Sequence, residues 1–124
     1  MNKNIQTTFL DYPDNESLAV IFYMNGCEHN CVNCHNKELQ KPINYSITII
    51  DEIIDYCNRN NTNKIVLSGG DPLYKTNIDL TNKIIDTYKD KYDICIYTGY
   101  DIEYIKKVLH SGFKFIKSGK YIKQ

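Results

Sequence analysis

Residues 18–24 read LAVIFYM, a nearly unbroken apolar run. Such a run predicts a strand covered on both faces, as in a parallel sheet. It leads directly into residues 25–36, NGCEHNCVNCHN, where three of the chain's five cysteines, Cys27, Cys31 and Cys34, fall within eight positions.

The pattern beyond this stretch alternates. SITIIDEIIDYC places Ile49, Ile50, Ile53, Ile54 and Cys57 on one stripe of an amphipathic helix, with Ser46 or Thr48 as its cap. KIVLSGGDPL is a short strand, Ile65 to Leu67, ended by two glycines and a proline, and IDLTNKIIDTYK returns to helical spacing through Leu80, Ile84, Ile85 and Tyr88. DICIYTGY is a third strand. DIEYIKKVLHSG puts Ile102, Ile105, Val108 and Leu109 on one helical face with Gly112 as C-cap, and FKFIKSGKYI reads as a fourth strand. The first 17 residues are the least patterned and suit an edge strand or an arm.

Strands alternating with helices imply right-handed crossovers and a parallel sheet whose ligands gather at the carboxyl ends of the strands. A complete eight-unit barrel takes about 250 residues. The expected fold is therefore α/β, a partial (β/α) barrel with a mostly parallel sheet and about four to five βα units, in a single domain over 1–124.

Composition narrows the function classes. The chain has 124 residues, 42% hydrophobic and 24% charged, the balance of one ordinary domain with one core. Fifteen basic and fifteen acidic residues cancel, so no positive field favours nucleic acid. No apolar run approaches the roughly 18 residues of a membrane helix, and the N-terminus has no signal-peptide pattern, so a cytoplasmic protein is expected. In a reducing compartment, clustered cysteines point to metal or catalysis more than to disulfides.

The spacing C-x3-C-x2-C in a loop after a strand lets three thiolates converge on one inorganic centre. Structural zinc usually takes four ligands, and Cys57 and Cys95 lie on a helical stripe and in a strand, where packing is the default. Zinc completed by His29 or His35 stays open as an alternative. A cubane iron-sulfur cluster with three protein ligands would leave one iron open to a small molecule.

These residues resemble the radical S-adenosylmethionine enzymes, whose signature is this cysteine spacing, and within them the glycyl-radical activases. The resemblance covers nearly the whole chain: NGCEHNCVNCHN, LSGGDPL, YTGY and FIKSGKYI occur in the family's order. It implies that Cys27, Cys31 and Cys34 hold one 4Fe-4S cluster and that the open iron binds S-adenosylmethionine. Asn33, Cys34 and His35 would line that cofactor. Gly69 and Gly70 would let the backbone approach its methionine moiety, with Asp71 and Pro72 fixing the turn and Asp71 counted with the two glycines among the cofactor-binding residues. Tyr97 and Thr98 form a second tier of candidate contacts.

The implied reaction is reductive cleavage of S-adenosylmethionine and formation of a glycyl radical on a partner. That partner would be an anaerobic (class III) ribonucleoside-triphosphate reductase, with an electron donor such as flavodoxin or ferredoxin. The alternatives are an activase of a formate-lyase type of enzyme and a non-catalytic zinc-binding adaptor.

Two further features have plainer readings. His110, late in a helix, suits the C-terminal dipole. IKSGKY is no phosphate loop, because Tyr121 stands where Ser or Thr would follow the lysine.

Overall fold

The computed structural model describes residues 4–9, 12–14, 16–26 and 48–118. Five strands and three helices follow in the order β1 (Ile5–Thr8), β2 (Ala19–Met24), α1 (Thr48–Arg59), β3 (Lys64–Gly69), α2 (Ile78–Tyr88), β4 (Asp93–Tyr97), α3 (Ile102–Val108) and β5 (Phe115–Lys117). The sheet order is β1-β2-β3-β4-β5. Strands β2 to β5 are parallel, and β1 joins β2 antiparallel, pairing Ile5 with Phe22 and Thr8 with Ala19. The amino-terminal segment thus supplies the edge strand.

The α/β class and the mostly parallel sheet are as expected, whereas the barrel is not observed. The sheet is open, with β1 and β5 as its edges, and the described residues contain three βα units, not four or five. Closure needs strands enough to bring the two edges together, and four parallel strands with one antiparallel neighbour do not reach that.

Because the parallel strands follow one another without a reversal of order, crossovers of one hand place every helix on the same face. One apolar cluster shows this. It joins Val20, Phe22, Met24, Ile65, Leu67, Ile94 and Ile96 from the strands to Ile49, Ile50, Ile53 and Cys57 of α1, Ile84 and Ile85 of α2, and Ile105 of α3. The helical stripe expected for α1 is the one observed. In α3, Ile105 is buried but Ile102 is 52% exposed, so the face is narrower than its spacing predicts.

The opposite face carries a smaller cluster of Ala19, Ile21, Val66 and Cys95, on which Tyr12 lies. Among the described residues this face bears no helix. Tyr12 sits toward its amino end, with the Lys64 ammonium 5.5 Å from the ring centroid and the Phe115 ring edge-on at 5.7 Å. Lys64 is also paired with Asp93 of the next strand.

Helix ends depart from expectation in instructive ways. Thr48 is the first residue of α1 rather than its cap, and Ser46 lies outside the described residues. Gly112 is not the C-cap of α3, which ends earlier with Leu109 extended. Its φ of +121° instead accompanies a close approach to α2, where an added Cβ would meet the Lys89 side chain at 2.9 Å and Ile85 at 3.0 Å. His110 Nδ1 lies 3.0 Å from the Asp86 carboxylate of α2, which accepts from it, while the His110 backbone N–H donates to Asn82 Oδ1 at 2.8 Å. It ties the end of α3 to α2 instead of serving a helix dipole.

Burial of Cys57 has a measurable consequence. The thiol is pushed up from 9.0 to about 12 by burial, which penalises the thiolate. Between these values the unfolded chain has lost the proton and the folded chain keeps it, so stability falls as pH rises. Tyr12, raised to about 12 by burial and by nearby Asp93, adds its own share above pH 10.0. Unfolding free energies from urea titrations at pH 8 to 11 are expected to fall by up to about 1.4 kcal/mol per pH unit for each such group above its unfolded value, and Cys57→Ala is expected to flatten the decline that begins near pH 9.

Candidate functional site

The carboxyl ends of β2, β3 and β4 meet in a hydrogen-bonded junction of three loops. Its first layer is backbone. Gly70 N–H donates to Met24 C=O at 2.8 Å and Asp71 N–H to Gly26 C=O at 2.8 Å, so the turn after β3 continues the pairing with β2 beyond the strand ends.

Its second layer is the Asp71 carboxylate, 1% exposed. Oδ1 accepts from Leu73 N–H at 2.9 Å, which closes the turn, and from the Thr98 hydroxyl at 2.7 Å. Oδ2 accepts from Gly99 N–H at 2.8 Å. A buried carboxylate is tolerated when donors of this kind surround it. Asp71 therefore does more than fix its own turn: it binds the loop after β3 to the loop after β4.

The third layer is Asn77, which is fully buried. Its Nδ2 donates to Asn25 C=O at 2.7 Å and to Asp71 C=O at 2.8 Å, with Gly26 C=O at 3.4 Å. Asn77 occupies the N-cap position of α2, yet its side chain makes no capping bond because it is spent on these carbonyls. On the far side, Asn4 Nδ2 donates to Asn25 Oδ1 at 2.6 Å. From α2, the Thr81 hydroxyl donates to Pro72 C=O at 2.8 Å.

Glycine is required twice here. Gly26 has φ +110°, and an added Cβ would meet Thr76 Oγ1 and Tyr74 Cδ2 at 3.0 Å. Gly69 has φ +106°, and its Cβ would fall 2.5 Å from the Met24 backbone nitrogen. The structure thus gives Gly69 a reason of its own, the close approach of β3 to β2.

The candidate residues now separate. Gly70, Asp71 and Thr98 converge on the junction. Tyr97, one residue before Thr98, belongs instead to the helix-free face, near the exposed Lys117, whose ammonium lies 6.0 Å from its ring centroid. The strand registers set Tyr23, Ser68, Tyr97 and Lys117 side by side on that face. Cys27, Cys31, Cys34, Asn33, His29 and His35 lie outside the described residues; the chain enters that stretch at Gly26.

The donor set suits a cluster bound by three protein thiolates. Cys57 and Cys95 are both buried and in no disulfide. Cys57 borders a cavity with Ser17 and Leu18, at the amino end of β2, whereas the cysteine stretch departs from its carboxyl end. Cys95 lies within β4 in the apolar cluster of the helix-free face. The stem of the stretch is held by a built polar junction, and Asn77 Oδ1 is a buried acceptor with no partner among the described residues. Such an orphan costs about 1–3 kcal/mol, and it lies on the amide that already grips residues 25 and 26.

Asn77 and Thr81 escape a sequence reading because both look like ordinary polar residues at the start of a helix. An asparagine at an N-cap position was the available signal, and it points to capping.

The Asp71 contacts predict a graded loss. Thr98→Val removes one hydrogen bond to a carboxylate and is expected to cost about 1–2 kcal/mol. Asp71→Asn sets an amide N–H₂ against one of the donors and is expected to cost about 2–4 kcal/mol. Guanidinium unfolding of the two variants checks the order.

Comparison with known proteins agrees with this chemistry. The description of a family, 4Fe-4S single cluster domain, matches residues 16–124. The anaerobic ribonucleoside-triphosphate reductase-activating protein of Enterobacteria phage T4 is 27% identical over 104 residues, covering 79% of this chain and 67% of that protein. The protein of the same name from Haemophilus influenzae is 26% identical over 129 aligned positions, covering 92% and 81%. That of Escherichia coli K12 is 29% identical over 89 residues, covering 65% and 58%.

Proposed function

Since this chain belongs to the 4Fe-4S single cluster domain family, we propose that it is a radical S-adenosylmethionine activase that makes the glycyl radical of an anaerobic ribonucleoside-triphosphate reductase. One observation carries the reading. The match to a single-cluster domain spans the cysteine stretch and continues through all the described βα units, and the relatives named above are activating proteins of that reductase.

In this reading Cys27, Cys31 and Cys34 are the thiolate ligands, and Asn33 and His35 flank the cofactor. Once bound, the cluster would supply one electron to the sulfonium of S-adenosylmethionine, breaking its C–S bond with methionine as the leaving group and providing the radical chemistry that takes a hydrogen atom from a glycine of the reductase. The chain's own residues orient and shield. The loop from Gly69 to Asp71 is locked to the stem of the cysteine stretch, so the two segments move as one unit. Thr98 and Gly99 extend this unit to β4.

The reaction needs an external electron, supplied by a donor such as flavodoxin or ferredoxin. No helix among the described residues is long and apolar enough to cross a membrane.

The test is electron paramagnetic resonance on a mixture of the reduced, cluster-loaded protein, S-adenosylmethionine and an anaerobic ribonucleotide reductase. A glycyl-radical doublet on the reductase is expected. A doublet formed only on a formate-lyase type of partner would reassign the substrate.

A further inference from the structure

The described residues hold two buried asparagines in or beside α2, and they do different work. Asn82 ties α2 to the end of α3: its Nδ2 donates to Val108 C=O at 2.9 Å and its Oδ1 accepts from His110 N–H at 2.8 Å. Both ends of its amide are satisfied within the scaffold. Asn77 points its donors at Asn25 and Asp71, the residues that flank the exit of β2. Its acceptor has no partner among the described residues.

Asn25 and Gly26 are closely held. Gly26 C=O accepts from Asp71 N–H, its left-handed φ is fixed at +110°, and the Thr76, Tyr74 and Asn77 side chains stand 3.0 to 3.2 Å from where a Cβ would be. Asn25 is held from two directions, by Asn77 at its carbonyl and by Asn4 at its side chain. Cys27 is the next residue. Groups that hold the segments carrying metal ligands influence how firmly the metal is bound.

We propose that Asn77 is a positioning residue for cluster binding: its amide holds Asn25 and Gly26, the residues from which the cysteine stretch sets out. The inference rests on Cys27 being a cluster ligand. It assigns Asn77 no contact with the cofactor. It makes the amide, rather than the fold's overall stability, the quantity that governs how firmly the cluster is held.

The matched pair of asparagines provides the experiment. Wild type, Asn77→Ala and Asn82→Ala are reconstituted anaerobically with iron and sulfide. Three quantities are then read: the melting temperature before reconstitution, the rate of iron loss to a chelator, and the resonance spectrum of the reduced cluster. Both variants are expected to melt lower than wild type. Only Asn77→Ala is expected to release iron on the order of tenfold faster and to shift the spectrum. Should Asn77→Ala not fold, Asn77→Ser keeps a donor in a smaller side chain and is expected to release iron at an intermediate rate. Equal release rates and identical spectra for the Asn77 and Asn82 variants would overturn the proposal while leaving the cluster reading intact. A wild-type protein that takes up no iron and sulfide would remove the cluster reading and the proposal together.

Discussion

Cys31→Ala is expected to abolish loading of the four-iron cluster and, with it, formation of 5′-deoxyadenosine from S-adenosylmethionine. The reason is the ligand count. In the proposed reading the cysteine stretch provides three thiolates, and the two remaining cysteines are buried in the packed scaffold. Cys57, with its thiol pushed up to about 12, resists becoming the thiolate that a metal requires. No spare thiolate can therefore replace Cys31. Losing an outer partner of a metal ligand already costs about 10–100-fold in affinity or activity, and loss of the ligand itself is expected to exceed this. Iron and sulfide analysis, with chromatography of the nucleoside product, checks the effect. The two apolar clusters of the described residues are complete without Cys31, and a melting temperature close to wild type before reconstitution is the accompanying expectation.

Gly69→Ala is expected to do the reverse, damaging the fold before any cofactor is added. An added Cβ would stand 2.5 Å from the Met24 nitrogen, 2.8 Å from the Tyr23 carbonyl carbon and 2.9 Å from the Met24 oxygen. All three are backbone atoms of a central strand, so no side chain can turn aside. Relief would require β2 and β3 to separate where Met24 pairs with Gly69. A left-handed φ for a residue with a side chain adds about 1–3 kcal/mol. Together the clash and the strain are expected to remove about 3–5 kcal/mol, a large part of the 5–15 kcal/mol typical of a domain. Chemical denaturation of the cluster-free protein measures this. A stability near wild type with cofactor binding lost would instead show that Gly69 serves the cofactor alone.

These two residues also show what the sequence makes legible. The alternation of strands and helices could be read because each element has its own period of burial. The run at residues 18–24 became β2, and Ile49, Ile50, Ile53 and Cys57 became the buried stripe of α1. The need for glycine at residue 69 was legible, but its cause was not. A glycine beside a suspected cofactor loop invites a cofactor explanation, and only the geometry reveals the neighbouring strand. Asp71 was similarly read as a turn former, which it is. Its bond to Thr98 spans 27 positions, and no local pattern encodes a contact of that range. Asn77 is the clearest case, since an N-cap asparagine and one clamping another loop look alike in sequence.

Openness of the sheet was beyond the periodic signal for a related reason. Each βα unit fixes its own crossover, but whether the last strand meets the first depends on the number of units and their accumulated tilt. Ile102 illustrates the same limit on a smaller scale. Its spacing places it on the apolar side of α3, but it falls at the first helical residue, at the rim of the sheet, where no neighbour covers it.

The central claim is radical cleavage of S-adenosylmethionine at a cluster held by Cys27, Cys31 and Cys34. The most direct measurement is chromatography of the anaerobically reconstituted protein after reduction with dithionite in the presence of S-adenosylmethionine. The account predicts 5′-deoxyadenosine and methionine in equal amounts. A protein that carries its full complement of iron and sulfide yet forms neither product, or one that binds a single zinc and takes up no iron, would contradict it.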